Sequence, residues 1–204
     1  MKISFPDIRS ILAFPTIYSS FSNIVGGRHA WALYLEKYIR PRGGDRILDI
    51  GCGPGDILEF LPSVEYLGFD VNQRYIKKAT KRFGNRGTFL CKKLSREIGK
   101  ELSDFDIILA TGILHHLDNG EAIKLFELAQ STLKPGGRLI TWDGCYAKGQ
   151  SLVERFILST DRGRYVRTKD EYLALASQLF KNIKAYLHHD LLRIPYTIII
   201  MECA

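Results

Sequence analysis

Short apolar segments alternate with amphipathic helical patterns from Arg46 to the end of the chain. The apolar segments are rich in Ile, Leu and Phe and do not alternate strictly with polar residues, which is typical of strands buried on both faces. Seven strands are predicted, over residues 46–50, 64–69, 88–91, 105–110, 138–142, 182–188 and 195–202. Strands that alternate with helices predict an α/β fold, in which a parallel sheet is joined by crossover helices.

The helices between these strands are predicted from the helical spacing of apolar residues. They cover residues 28–39, 73–83 and 120–133, and a late helix begins at Thr168, where Glu171 completes a capping box. The connection 189–194 is too short for a parallel crossover, which needs about a dozen residues. The last two strands are therefore predicted to be antiparallel.

Length and composition indicate a single globular domain. The chain has 204 residues, of which 46% are hydrophobic and 25% charged, and these values exclude a disordered or coiled-coil protein. Four widely spaced cysteines without a CxxC pair predict neither a metal site nor a disulfide framework. No apolar run approaches the ~20 residues of a membrane helix, and the N-terminus lacks the pattern of a signal peptide. We expect a cytoplasmic protein without a transmembrane segment.

A glycine-rich loop follows the first predicted strand, in the segment RILDIGCGPGDIL at residues 46–58. Gly51, Gly53 and Gly55 allow the backbone to turn tightly and a ligand to approach it closely. Asp70 ends the second strand, 19 residues after Gly51. In a doubly wound sheet this carboxylate lies beside the loop, where it can accept hydrogen bonds from the two ribose hydroxyls of an adenosine.

The acidic residues around the loop distinguish between two classes of adenosine ligand. A dinucleotide site requires glycine at the sixth position of GxGxxG, but Asp56 stands there and would oppose a pyrophosphate at the helix start. Asp49 adds a second negative charge next to the loop. These acids favour S-adenosylmethionine, which carries a sulfonium and an ammonium but no phosphate, and they make a nicotinamide dehydrogenase a remote alternative.

Four segments in order resemble the motifs of one family. DIGCGPG resembles motif I of the class I S-adenosylmethionine-dependent methyltransferases, and LGFDVN resembles their acidic second motif. TGILHHLD resembles the segment after their fourth strand, and LKPGGRLI the segment leading into the fifth, so the resemblance covers about residues 46–143. It implies a doubly wound seven-stranded sheet in the order 3-2-1-4-5-7-6, mostly parallel with an antiparallel last strand and helices on both faces.

The resemblance also implies which residues bind S-adenosylmethionine and its product S-adenosylhomocysteine. Asp49 would hold the methionine ammonium, Asp70 the ribose hydroxyls, and Val71 would pack against adenine. The remaining cofactor-binding residues implied by the motifs are Gly51, Cys52, Gly53, Gly55, Asn72, Thr111, Gly112 and Ile113. One departure concerns adenine: many relatives carry an acid after the third strand, whereas Lys93 stands at or near that place.

Methyl transfer from a sulfonium requires alignment of the acceptor with the methyl group, and a base only if the acceptor must lose a proton. The catalytic candidates are His116, His115 and Asp143, which follow the fourth and fifth strands, although packing or capping would also explain them. The candidates for binding the acceptor are Tyr18, Tyr146, Arg155, Arg162, Arg164 and Arg167. Clustered arginines suit a carboxylate or phosphate, whereas ordinary surface ion pairs are the alternative.

The chain is accordingly divided into four parts of one domain, 1–204. These are an N-terminal helical lid (1–44), the cofactor-binding core (45–143), a cap insertion and helix (144–180) and a closing hairpin (181–204). The leading hypothesis is transfer of a methyl group to a small, anionic acceptor, preferably at oxygen.

The distribution of charge along the chain supports acceptors other than a small molecule. The formal net charge is +7, and residues 74–100 contain ten basic residues and one acid, five of the basic ones on the helix at 74–82. Such a face could bind nucleic acid or an anionic membrane surface, although a solvated helix face is the commoner explanation. An RNA or protein methyltransferase is therefore the second hypothesis, and a non-catalytic S-adenosylmethionine-binding module is the third.

Overall fold

The computed structural model describes residues 27–93, 96–99, 101–160 and 163–204. The strands are β1 Arg46–Ile50, β2 Glu65–Asp70, β3 Gly87–Cys91, β4 Phe105–Thr111, β5 Leu133–Tyr146, β6 Arg167–Thr168, β7 Ile183–His188 and β8 Ile198–Cys203. The helices are α1 Gly27–Leu33, α2 Gln73–Phe83, α3 Arg96–Gly99, α4 Asn119–Thr132, α5 Leu152–Thr160 and α6 Lys169–Ala176. Single turns of 3₁₀-helix occupy Asp56–Glu59 and Leu114–His116.

The sheet has the strand order β3-β2-β1-β4-β5-β8-β7. Strands β1 to β5 are parallel to their neighbours, and β8 is antiparallel to both β5 and β7. The predicted fold class, strand order and antiparallel last strand are therefore confirmed.

Strand β5 is much longer than the predicted 138–142. Residues Arg138 to Trp142 pair with β4 on one side, and Leu139 to Gly144 pair with β8 on the other. Beyond these, the last two residues of β5 pair in parallel with β6, a two-residue strand that was not predicted. The predicted strand was too short because β5 changes partners along its length. Only the part that pairs with strands on both sides has the apolar pattern of a buried strand.

Two hydrophobic cores lie on opposite faces of the sheet, because side chains alternate along each strand. Leu48 and Ile108 belong to the core that α4 and α6 cover, whereas Ile47 and Ile107 belong to the core that α1 and α2 cover. Helices on both faces are thus confirmed.

Side-chain caps fix the starts of three helices. Helix α2 has the predicted bounds and begins where the side chain of Asn72 accepts a hydrogen bond from the backbone N–H of Arg74. The predicted capping box of α6 is present, with Thr168 and Glu171 satisfying each other's backbone N–H groups. Asp118 caps α4 by accepting from the N–H of Glu121 at 2.8 Å.

Helix α1 continues as π-helix over Tyr34–Ile39 and ends at Arg40, which adopts a left-handed conformation (φ 44°). Its aromatic face packs on the sheet: the ring of Trp31 stacks on Trp142 with centroids 5.9 Å apart, and Tyr34 meets the same ring edge-on at 4.9 Å. This part of the predicted lid is thus a component of the core, and the lid prediction for residues 1–26 lies outside the described residues. In the described parts of the chain, no helix has the length and hydropathy that a membrane span requires.

Candidate active site

The glycine loop turns back onto the sheet immediately after β1. The N–H groups of Gly51 and Cys52 donate to the carbonyl of Phe69 on β2, at 2.8 and 3.0 Å. A Cβ at Gly51 would lie 2.8 Å from Cδ1 of Ile113, so the loop packs closely against the segment after β4. Gly53 differs, since nothing lies within 4 Å of its Cβ position and its φ of 54° favours glycine. The loop therefore presents bare backbone to the space above the sheet.

Asp70 is held at the end of β2 by two backbone N–H groups. Its Oδ2 accepts from Gly53 at 2.9 Å and its Oδ1 accepts from Asn72 at 2.7 Å. Burial raises the pKa of this carboxyl, and the backbone hydrogen bonds oppose the rise. Each carboxylate oxygen has a further lone pair, so Asp70 can accept from two more donors.

Asp49 is buried at the end of β1 with one oxygen satisfied. Its Oδ2 accepts from the hydroxyl of Tyr66 at 2.6 Å. Its Oδ1 is buried and has no hydrogen-bond partner among the described residues. Burial raises the pKa of Asp49 to about 7. A buried oxygen without a donor is costly, so a cationic ligand group that reached it would be bound favourably.

A cleft of about 1160 Å³ opens beside these residues. Its walls include Asp70 and Val71 from the end of β2, Ile113 and Leu117 from the segment after β4, and Lys93 and Glu121 further along. Val71 is 71% exposed and leaves an apolar surface in the cleft for a flat ligand group. The cleft lies at the carboxyl ends of parallel strands, where ligands bind in open α/β sheets.

His115 and Asp143 form a buried pair between the ends of β4 and β5. Oδ1 of Asp143 lies 2.7 Å from Nδ1 of His115 and also accepts from the backbone N–H of His115 at 3.1 Å. Burial raises the pKa of Asp143, and the contacts with His115 oppose the rise. In the tautomer that donates from Nδ1 to the carboxylate, Nε2 is the unprotonated nitrogen. The pair has the geometry of an imidazole base oriented by an acid.

The segment after α5 covers this pair. The N–H of Tyr165 donates to the carbonyl of His115 at 3.0 Å. A Cβ at Gly163 would lie 2.1 Å from Cδ2 of His115, so only glycine allows this approach. His116 is exposed, and its ring centroid lies 4.2 Å from that of His115.

Residues 47–137 match the family described as Methyltransferase domain. This match covers the glycine loop, Asp49, Asp70 and the segment after β4. Residues 47–137 are thus similar to the class I S-adenosylmethionine-dependent methyltransferases.

Similar proteins cover this domain and differ in length. An uncharacterized methyltransferase of Schizosaccharomyces pombe is 32% identical over an alignment covering 53% of this chain and 45% of the relative. A tRNA U34 carboxymethyltransferase of a Geobacter species is 33% identical, covering 52% of this chain and 34% of the relative. The chain thus spans less than half the length of either. Among solved structures, a SAM-dependent methyltransferase from Archaeoglobus fulgidus has a TM-score of 0.70 at 21% identity, covering 92% of this chain and 99% of its own.

The described residues fit S-adenosylmethionine at three points. Oδ1 of Asp49 lacks the donor that an ammonium would supply, Asp70 has lone pairs for two hydroxyls, and Gly53 leaves the loop open to a ligand. No anion site competes at the 3₁₀ turn, because Asp56 occupies its first position and pairs with Arg82.

Thr111 ends β4, and Gly112 and Ile113 follow it in the segment that packs against the glycine loop. The N–H of Gly112 donates to the carbonyl of Trp142 at 2.6 Å, and Oγ1 of Thr111 lies 3.4 Å from the hydroxyl of Tyr34. Cys52 is buried, and burial raises the pKa of its thiol. The thiol therefore stays protonated and unreactive, and Cys52 serves as a small packing residue.

The structure corrects the acceptor-binding prediction for Arg167. All five of its N–H donors are used within the protein: they bind the carbonyls of Leu114, Leu117 and Tyr165 and the side chain of Asn119. The side chain is 6% exposed. Arg167 therefore fastens the cap to the segment after β4 and offers no donor to an acceptor. The sequence suggested an anion site because an arginine serving backbone carbonyls cannot be distinguished from one serving a ligand.

The other predicted acceptor residues are only partly brought together. The guanidinium of Arg155 lies 5.4 Å from the ring centroid of Tyr146, so these two form one surface at the rim. Arg164 is exposed in the cap. Tyr18 and Arg162 lie outside the described residues.

The sequence reasoning missed Tyr66, although a signal for it exists. A Cβ at Gly68 would lie 3.0 Å from Cε1 of Tyr66, so the ring passes over this glycine towards Asp49. Gly68 is the neighbour of Asp49 in the strand register. The signal is a tyrosine that stands two residues before a glycine on the strand next to Asp49. This pattern could have indicated the contact between Tyr66 and Asp49. Glu121 was missed because no local pattern marks it.

Proposed function

We propose that the methyltransferase domain transfers a methyl group from S-adenosylmethionine to a small, anionic acceptor at a hydroxyl oxygen. The observation that carries the proposal is the orientation of His115 by Asp143 at the carboxyl edge of the sheet. Methylation of a hydroxyl requires removal of its proton, whereas a neutral amine does not, so an oriented imidazole favours an oxygen acceptor.

Each group of the site has a role in this proposal. When bound, S-adenosylmethionine supplies a methyl group on a sulfonium for in-line displacement. Asp49 holds its ammonium and Asp70 its ribose hydroxyls. His115, oriented by Asp143, takes the proton of the acceptor hydroxyl, and Asp143 stabilises the imidazolium that results. The cap around Gly163 excludes water from this side of the site.

An anionic acceptor is supported by the rim of the cap. Arg155 and Arg164 are exposed, and neither forms an ion pair with another residue in the described ranges. Arg155 beside the ring of Tyr146 provides a cation and an aromatic surface for an acceptor that carries a carboxylate or phosphate.

The proposal is tested by measuring S-adenosylhomocysteine formation with hydroxylated carboxylates and with amines of similar size. We expect turnover of hydroxyl acceptors that falls at low pH as the base is protonated, and a loss of ~10²–10⁴-fold in kcat in His115→Gln. His29→Gln, on the exposed side of α1, is the control. An undiminished kcat in His115→Gln would overturn the role of the base, and turnover of amines alone would overturn the choice of oxygen.

An RNA methyltransferase is the second candidate, because Lys77 and Lys81 are exposed on α2 and a tRNA-modifying enzyme is among the relatives. The surface is weaker than the sequence suggests, since Arg82 pairs with Asp56 and Glu59. RNA binding through phosphates weakens steeply with salt, whereas turnover of a small acceptor does not. S-adenosylhomocysteine binding without transfer to any acceptor would instead support a binding module.

A further inference from the structure

One edge of the cleft carries an ion pair between the end of β3 and the start of α4. Nζ of Lys93 lies 2.7 Å from Oε1 of Glu121. Lys93 follows β3, and Glu121 lies in the first turn of α4. Both residues line the same cleft as Asp70 and Val71.

The position of Glu121 is fixed by the start of its helix. The side chain of Asp118 accepts from the N–H of Glu121, which holds the first turn of α4 against the cleft. The side chain of Glu121 is 38% exposed and that of Lys93 is 70% exposed, so ligand and solvent can reach both. Glu121 has a second carboxylate oxygen, and the ammonium of Lys93 has further N–H donors, so the pair can bind other groups without separating.

The chemistry of this pair is complementary to one edge of adenine. That edge presents an amino donor at N6 next to an acceptor at N1. A carboxylate beside an ammonium presents an acceptor next to a donor, so the carboxylate can meet the amino group and the ammonium can meet N1. We propose that Lys93 and Glu121 together recognise adenine, with Glu121 accepting from N6 and Lys93 donating to N1. This inference rests on the proposed function, since it assumes an S-adenosyl ligand in the cleft.

An ordinary surface ion pair is the competing explanation. Exposed pairs contribute little to stability, so a change in melting temperature cannot distinguish the two. The preference between two ligands can distinguish these explanations. S-inosylhomocysteine has an acceptor at position 6 and a donor at N1, which is the reverse of the adenine in S-adenosylhomocysteine. A pair that recognises the base must distinguish this analogue from S-adenosylhomocysteine, and a merely structural pair must not.

The experiment measures the dissociation constants of the two ligands by calorimetry. We expect the wild-type protein to prefer S-adenosylhomocysteine by about tenfold or more, because two hydrogen bonds are mispaired in the analogue and even one mispaired bond costs about this factor. In Glu121→Gln and Lys93→Met the preference falls to about threefold or less. Glu36→Gln and Lys37→Met, on exposed positions of the π-helix after α1 and away from the cleft, leave the pair intact and keep the preference.

A double variant provides the sharpest test. Lys93→Glu with Glu121→Lys preserves an ion pair but exchanges the positions of donor and acceptor, so we expect it to prefer S-inosylhomocysteine. If the double and single variants keep the wild-type preference, the pair does not recognise the base and the inference is overturned. Failure of the wild-type protein to bind S-adenosylhomocysteine at all would overturn the proposed function instead, so the two failures are distinct.

Discussion

Replacement of Arg167 by methionine should destabilise the protein strongly without removing its cofactor site. The substitution keeps much of the apolar stem but removes all five N–H donors of a side chain that is 6% exposed. The carbonyls of Leu114, Leu117 and Tyr165 lose their donors, and each buried acceptor left unsatisfied costs about 1–3 kcal/mol. With partial rehydration of these carbonyls we expect a loss of about 3–5 kcal/mol in the free energy of unfolding.

The loss is measured by urea denaturation followed by circular dichroism, together with the thermal midpoint. For a domain of this size, about 3–5 kcal/mol corresponds to a decrease of about 6–20 °C. Arg155→Met is the matched control. Arg155 is exposed, and its guanidinium lies over the ring of Tyr146. Its expected change is within about 0.5 kcal/mol.

A loss below about 1 kcal/mol in Arg167→Met would refute the reasoning. It would mean that water replaces the guanidinium at the carbonyls at little cost, and that the cap is not fastened through this side chain. A loss of equal size in the control would indicate a general effect of removing an arginine from the cap.

Further predictions concern the site itself. Gly163→Ala should lower kcat more than cofactor affinity, because the new Cβ would lie 2.1 Å from Cδ2 of His115. A turnover assay measures the change in kcat, and calorimetry measures the change in cofactor affinity. Asp70→Ala should abolish the thermal shift that S-adenosylhomocysteine produces in the wild-type protein, and a retained shift would argue against the ribose contact. The ammonium of the ligand requires a deprotonated Asp49, whose pKa is about 7, so the dissociation constant should fall as pH rises from about 6 to 8. Tyr66→Phe removes a hydrogen bond that lowers this pKa and should move that transition to higher pH, which the same titration measures.

The frame of the fold could be predicted because it depends on local signals. The apolar runs, the capping box at Thr168 and the short connection before β8 each report on a few neighbouring residues. Together they predict the elements and the antiparallel closing pair, whereas the strand order was implied by the resemblance to the methyltransferases. Asp70 could be assigned for the same reason, since a strand end and a glycine loop at fixed spacing determine its place.

The remaining features depend on contacts between distant segments. Arg167 reaches carbonyls that lie 50 and 53 residues earlier, and Lys93 meets a glutamate 28 residues later. Side-chain type alone does not indicate whether an arginine serves the backbone or a ligand. The contact of His115, and not of His116, with Asp143 likewise joins residues that lie 28 positions apart in the chain.

The packing of α1 on β5 has an optical consequence. The chain contains two tryptophans, and both belong to this one contact, with Trp31 on the helix and Trp142 on the strand. Indole emission from the whole protein therefore originates at a single junction, next to the buried hydroxyl of Tyr34. Detachment of α1 would change the spectrum even while the rest of the sheet stayed intact. Fluorescence thus acts as a built-in probe of this helix, whereas circular dichroism follows the domain as a whole.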